Sequence, residues 1–144
     1  MLAAAFEFPI RVYWEDTDAG GVVFYANYLK FFERARTEWL RALGLGQQQL
    51  RQQTGGMFVV VQASVQYHRG ARLDDELAVT VRLQHGSRAS MTVAQQAWRV
   101  QPGAARELLC DGSVRIGWVD AASMKPARIP PAIAQKIQAK PTSS

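Results

Sequence analysis

The chain has 144 residues and a mass of 16.0 kDa, and 48% of its residues are hydrophobic and 20% are charged. This composition is typical of one globular domain with its own core and excludes an intrinsically disordered chain. A single cysteine, Cys110, excludes an intrachain disulfide framework, and the longest apolar runs are too short for a transmembrane helix. Residues 1–5 lack the basic region of a signal peptide, so we expect a cytoplasmic protein.

The formal net charge of +5 gives the chain a basic surface. Such a surface favours an anionic partner: nucleic acid, acidic lipid, a phosphorylated cofactor or an acidic carrier protein. No basic run is dense enough to choose among these partners, and a solvated basic face is the simpler interpretation.

The first half of the chain predicts a strand, an acidic loop and a long helix. Residues 6–14 are rich in β-formers, and residues 15–21 combine three carboxylates with two glycines. From 27 to 43, apolar residues recur at three- and four-residue spacing, which predicts an amphipathic helix with Asn27 as its N-cap. A short helical turn is predicted at 47–53.

The second half predicts four long strands, at 57–68, 76–85, 89–100 and 106–119. Four prolines beyond residue 124 predict that residues 125–144 wrap the surface and then fray. The whole order predicts a single domain over 1–144 of the α+β class, with one five-stranded antiparallel sheet wrapped around a long central helix. The edge strands of such a sheet pair readily with a second copy.

The acidic loop before the long helix carries the candidate chemistry. A carboxylate beside the amino end of a helix can act as base or nucleophile, while free helix N–H groups stabilise an oxyanion. Asp18 is the candidate carboxylate, and its alternative role is a turn aspartate that accepts hydrogen bonds from the loop. Asp16 is expected to support the loop, and Glu15 to face solvent.

Other catalytic groups are poorly supported by the sequence. No Gly-x-Ser-x-Gly motif is present, and Cys110 follows two leucines in an apolar strand, as a core residue does. His68 and His85 are far apart in sequence, and the acidic residues lack the spacing of a calcium loop, so we expect no metal. His68 is interpreted as structural or as a residue of a pocket rim.

Four motifs carry a resemblance to a known family: RVYWEDTDAGGVV at 11–23, FERARTE at 32–38, ARLDD at 71–75 and MKP at 124–126. With them the chain resembles the hotdog-fold thioesterases of the 4-hydroxybenzoyl-CoA thioesterase family, and most of all its Tol-Pal-associated YbgC-like group. The resemblance implies a hydrolase that cleaves a small or short-chain acyl-CoA to free acid and CoA without a cofactor. It also implies a homodimer or homotetramer, with the active site at the dimer interface.

The resemblance further implies the roles of individual residues. Asp18 would supply the catalytic carboxylate, and the backbone N–H of Tyr25 would polarise the thioester carbonyl. Many YbgC-like proteins have histidine at the position of Tyr25, and the pair Phe24-Tyr25 resembles the 4-hydroxybenzoyl branch instead. We expect the remaining candidates to bind substrate, the first three at the acyl group and the others at the CoA phosphates: Tyr28, Val60, Val61, Ser87, Arg88, Lys125 and Arg128. The three cations among them have an alternative role as solvated surface residues.

Two other functions stay open at this point. The acyl group could be carried by acyl carrier protein, which the basic surface would suit, or the chain could be a non-catalytic hotdog protein that binds an envelope-associated complex, peripheral to the inner membrane. Nucleic acid is disfavoured as a partner because the aromatic residues are predicted to be mostly buried.

Overall fold

A computed structural model describes residues 5–138 of the chain. The strands are β1 (Phe6–Arg11), β2 (Gly56–Tyr67), β3 (Glu76–Gly86), β4 (Ser90–Val100) and β5 (Glu107–Asp120). The helices are α1 (Asn27–Ala42), α2 (Gln47–Thr54) and α3 (Pro131–Gln138), and a single 3-10 turn spans Trp14–Asp16. None of the helices between residues 5 and 138 combines the length and the hydrophobicity that crossing a bilayer requires.

All five strands form one antiparallel sheet in the order β1-β3-β4-β5-β2. The predicted α+β architecture, a five-stranded antiparallel sheet with one long helix, is therefore confirmed. The carboxyl ends of β1, β2 and β4 and the starts of β3 and β5 lie at one end of the sheet, which we call the Asp18 end. The turn between β3 and β4 lies at the other end, which we call the Arg88 end.

Helix α1 packs its apolar face on the sheet because its aromatic and aliphatic residues repeat with helical spacing. Phe31 and Phe32 have no exposed surface, and burying each stabilises the fold by roughly 1.5–3 kcal/mol. The buried Gln95 of β4 donates through Nε2 to the Phe32 carbonyl at 3.0 Å and accepts from the Arg36 guanidinium at 2.8 Å. The Gln95 side chain thus joins the helix to the sheet with its polar atoms paired.

The segment before α1 differs from the prediction in two details. The first strand ends at Arg11 instead of residue 14, because the Asp16 carboxylate accepts the Tyr13 N–H at 2.8 Å and closes a turn. The predicted N-cap was one residue late: Ala26 is the N-cap, and Asn27 is the first helical residue. The Asn27 side-chain amide instead donates to the Asp16 carbonyl at 2.8 Å, and so ties the helix to the acidic loop.

The tail forms more structure than predicted. It pairs with the last residues of β5, with hydrogen bonds from Ala127 N–H to the Trp118 carbonyl and from Ile129 N–H to the Arg88 carbonyl. It then forms α3, which buries Ile133 and Ile137. The four-residue spacing of these isoleucines was the overlooked helical signal. Residues 139–144, where fraying was predicted, lie outside the described residues.

Candidate active site

The two oxygens of Asp18 have different surroundings. Oδ1 accepts the backbone N–H of Gly20 at 2.9 Å and of Val22 at 3.3 Å. The backbone closes the same turn, since Asp18 N–H donates to the Val22 carbonyl at 2.9 Å and Gly21 N–H donates to the Asp18 carbonyl at 3.0 Å. Among residues 5–138, nothing hydrogen-bonds Oδ2, and the residue is exposed. One oxygen therefore fixes the loop, and the other is open to a substrate.

Asp16, in contrast, is a structural residue. Its side chain is 5% exposed, and its carboxylate accepts the Tyr13 N–H. Its carbonyl accepts from Phe24 N–H at 3.4 Å and from the Asn27 amide. Glu15 beside it is exposed, so both residues occupy the places that the sequence predicted.

Helix α1 begins with unpaired donors close to this loop. Within residues 5–138, the N–H groups of Tyr25 and Ala26 have no hydrogen-bond acceptor, as is usual for the first turn of a helix. Tyr25 is three positions after Val22, whose N–H binds Asp18, so these two Cα atoms are at most about 11 Å apart. The arrangement places the Asp18 carboxylate near the positive end of the α1 dipole.

An open, aromatic pocket of about 250 Å³ adjoins the helix start. The ring centroids of Tyr25 and Tyr67 are 5.5 Å apart, and those of Tyr28 and Tyr67 are 5.7 Å apart. Tyr28 is 2% exposed, its hydroxyl accepts the Ala71 N–H at 2.9 Å, and burial raises the pKa of its phenol. Tyr28 therefore lines the pocket as a neutral, fixed side chain.

Sequence reasoning did not select Tyr67, Arg69 and Gly70 of this pocket. Tyr67, at the end of β2, is 42% exposed, and its ring meets Tyr25 edge-on and Tyr28 at a tilt. His68, Arg69 and Gly70 complete the wall beside it. The imidazole of His68 is 2.9 Å from the Asp111 carboxylate, which agrees with its interpretation as a structural or rim residue. A tyrosine at the predicted end of a strand was the available signal for Tyr67.

The predicted CoA-phosphate residues lie at the other end of the sheet from Asp18 in the same chain. Ile129 N–H bonds to the Arg88 carbonyl at 2.8 Å, which brings the tail that contains Lys125 and Arg128 against the β3–β4 turn. The Ser87 hydroxyl is occupied in its own turn, 3.0 Å from the Ser90 hydroxyl. Strand β3 separates this Arg88 end from the Asp18 end by about 33 Å, at 3.3 Å a residue.

Val60 and Val61 are also outside the pocket of their own chain. Each is 50% exposed on β2, which is an edge strand, and the register with β5 shifts between Val60 and Gln62. In one chain these valines do not line the pocket that Tyr28 lines.

The other candidate groups do not form a second reactive centre. Burial raises the pKa of the Cys110 thiol to about 12, and the side chain is fully buried, which confirms its predicted place in the core. From residue 5 to residue 138, no three His, Cys, Asp or Glu side chains come together as metal ligands would.

The chain and its fold have counterparts among known proteins. Residues 12–137 match the family described as the thioesterase-like superfamily. The chain belongs to that superfamily. The acyl-CoA thioesterase YbgC of Haemophilus influenzae is 42% identical over 130 residues, covering 90% of this chain and 92% of its own length. The acyl-CoA thioester hydrolase YbgC of Escherichia coli is 38% identical over 138 residues, covering 96% and 99%.

Among solved structures, a 4-hydroxybenzoyl-CoA thioesterase variant complexed with 4-hydroxybenzoyl-CoA has a TM-score of 0.86 and covers 94% of this chain and 100% of its own. At 18% identity, this likeness concerns the fold alone. The predicted hotdog fold and membership of the thioesterase family are confirmed, and this superfamily member is a thioester hydrolase.

Proposed function

We propose that the chain hydrolyses the thioester of a small acyl-CoA to free acid and CoA, with Asp18 as the catalytic carboxylate. The observation that carries this proposal is the unequal use of the two Asp18 oxygens. Oδ1 is held by two loop N–H groups, whereas Oδ2 has no hydrogen-bond partner in residues 5–138. A carboxylate fixed by one oxygen presents the other in a constant position, as a base or nucleophile must.

The helix start supplies the second part of the proposed mechanism. As water or Asp18 attacks the thioester carbon, the carbonyl oxygen gains negative charge. The unpaired Tyr25 N–H would donate to that oxygen, and the helix dipole would add to the stabilisation. This role needs only the backbone of Tyr25, so it does not depend on the side chain at that position. No metal or redox cofactor enters this chemistry.

The size of the pocket supports a small acyl group. Its volume of about 250 Å³ is below the usual range of small-molecule sites, and Tyr25, Tyr28 and Tyr67 line it. Aromatic walls suit both an aromatic ring and a short aliphatic chain. The names of the YbgC relatives support CoA as the carrier of the acyl group.

We also propose that two copies assemble through their β2 edges. Within residues 5–138, strand β2 pairs only with β5, and its other edge exposes Val60 and Val61 beside unpaired backbone groups. Antiparallel pairing about a twofold axis would bring the Arg88 end of the second copy to the Asp18 end of the first. Ser87, Arg88, Lys125 and Arg128 could then reach the phosphates of a CoA bound at the other copy's Asp18. The homotetramer that the sequence resemblance implies would form from two such dimers.

Acyl carrier protein is the second candidate carrier, favoured by the net charge of +5. Purified protein would be given the same acyl group on CoA and on carrier protein at low and high salt. A rate that is higher on the carrier and falls steeply with salt would support it. A cytoplasmic location and contact with a Tol-Pal envelope complex stay predictions.

The test of the proposed function is thiol release from short aliphatic, long aliphatic and aromatic acyl-CoAs. Asp18→Asn keeps an oxygen that can accept the Gly20 and Val22 N–H groups, so the loop should fold while the carboxylate chemistry is lost. We expect kcat to fall by about 10²-fold or more. Glu15→Gln, an exposed carboxylate of the same loop, is the matched control and should keep wild-type activity. Equal rates for Asp18→Asn and wild type would refute the role of Asp18.

A further inference from the structure

Arg99 of β4 binds three groups at the Asp18 end of the sheet. Its side chain is only 15% exposed. Nη2 donates to the Gly70 carbonyl at 2.6 Å, and Nη1 donates to the Glu107 carboxylate at 2.9 Å. Nε lies 3.1 Å from the Asp75 carboxylate, in an ion pair whose angle does not form a hydrogen bond. One arginine therefore holds the first residue of the segment 70–75 and also its last.

The same segment contacts the candidate active site on its other side. Ala71 N–H donates to the Tyr28 hydroxyl at 2.9 Å, and the Ala71 carbonyl accepts Val23 N–H at 2.9 Å. Residues Arg72 and Val22 form a β-bridge. Val22 is also the residue whose N–H binds Asp18 Oδ1. Arg99 is therefore connected to the Asp18 loop through the backbone of residues 70–72.

The charges around Arg99 explain why an arginine suits this place. Two carboxylates, Asp75 and Glu107, and one carbonyl surround it in different directions, and a guanidinium has five donors in a fixed plane. Glu107 is shared with Arg69, whose Nε is 3.0 Å away and which is itself a residue of the pocket wall. Lysine could balance the charge, but it could not hold all three groups in one geometry.

We propose that Arg99 is a positioning residue for thioester hydrolysis, which acts through the segment 70–72 to hold the Asp18 loop and Tyr28 in their reactive arrangement. This inference rests on the proposed function of Asp18. Arg99 does not touch the reacting atoms. Its removal would let the segment 70–72, and with it Val22 and the Asp18 carboxylate, shift from the position that the reaction needs. Displacements of about 1 Å can lower a catalytic rate by about 10²-fold.

A double-mutant cycle separates positioning from plain structural support. We expect Arg99→Met to lower kcat by about 10-fold or more with KM changed less than about 3-fold, and Arg99→Lys to recover part of the loss. In the Asp18→Asn background, Arg99→Met should change the residual rate by less than about 2-fold, because the group that it positions is already absent. Thermal unfolding of every variant is measured in the assay buffer, and only variants that are folded at the assay temperature are compared.

Arg106→Met is the matched control. It removes an arginine that binds the Glu7 carboxylate with two hydrogen bonds, 2.7 and 2.9 Å long, and that makes no hydrogen bond or ion pair to the segment 70–75 in the described part of the chain. We expect its kcat to stay within about 2-fold of wild type. If Arg99→Met does not fold, kcat of Arg99→Lys is measured in the wild-type and Asp18→Asn backgrounds instead, and the same comparison is made.

The outcomes distinguish the two proposals. A loss in Arg99→Met that is equally large in the Asp18→Asn background, or no loss of kcat in either Arg99 variant, would overturn the positioning role while leaving Asp18 in place. Wild-type activity of Asp18→Asn alone would instead refute the proposed catalytic role of Asp18.

Discussion

At the scale of single residues, Asp18 shows how one side chain can both stabilise a turn and supply a reactive group. The usual role of aspartate beside glycine is to accept hydrogen bonds from the loop, and Oδ1 does so for Gly20 and Val22. That bonding leaves Oδ2 in a fixed position at the surface. The structural role and the proposed catalytic role are therefore not alternatives, since the first orients the group for the second.

Cys110 gives a prediction at the same scale. Its pKa of about 12, raised by burial from 9.0, means that almost no thiolate exists in the folded protein at pH 8. We expect a thiol reagent to label native protein at least about 100-fold more slowly than protein unfolded in urea. Rapid labelling without urea would contradict this burial. Because Cys110 would react slowly with the thiol reagent, it would not add to the signal of a thiol-release assay.

The same raised pKa predicts a dependence of stability on pH. Between pH 9 and about 12 the unfolded thiol loses its proton while the folded thiol keeps it. The unfolded state therefore binds fewer protons, and the free energy of unfolding falls as pH rises through this range. Urea unfolding at pH 8 and pH 10 would measure the fall, and Cys110→Ala should show a smaller one. An equal fall in both proteins would contradict the assignment.

At the scale of elements, the contact between β5, β2 and α1 depends on a glycine. A Cβ at Gly112 would lie 2.7 Å from the Ser64 carbonyl oxygen and 3.2 Å from the Phe32 ring, so the strand and the helix would have to move apart. We expect Gly112→Ala to lower the free energy of unfolding by about 1–3 kcal/mol, measured in urea. Gly86→Ala is the control, because its Cβ would make only ordinary contacts of 3.5 Å or more. Equal stabilities of the two variants would contradict this packing.

The elements themselves were largely predictable, and their ends were not. The helical spacing of α1 and the alternation of β3 are properties of consecutive residues, so they can be read locally. Asn27, in contrast, has the residue type of an N-cap, but its amide bonds to the Asp16 carbonyl eleven positions away. Tertiary contact thus overrode a local preference.

At the scale of the whole molecule, the distance between the Asp18 end and the Arg88 end argues for a dimer. We expect Val60→Lys, which places a charge on the free β2 edge, to weaken dimerisation by at least about 10-fold. Sedimentation velocity over a range of concentrations measures this change. Gln52→Lys adds the same charge on the exposed surface of α2 and should leave the assembly unchanged. A Val60→Lys protein that assembles like wild type would exclude β2 as the interface.

The sequence by itself determined the class of the fold, the order of its elements and the loop that contains Asp18. Those features depend on hydrophobic period, on glycine and proline positions and on one short motif, all of which are local in the chain. Only the tertiary structure decided that Tyr67 joins Tyr25 and Tyr28, and that Arg99 holds the segment beside the Asp18 loop. These contacts join residues more than 25 positions apart, and strand pairing and helix packing, which no local pattern specifies, bring them together.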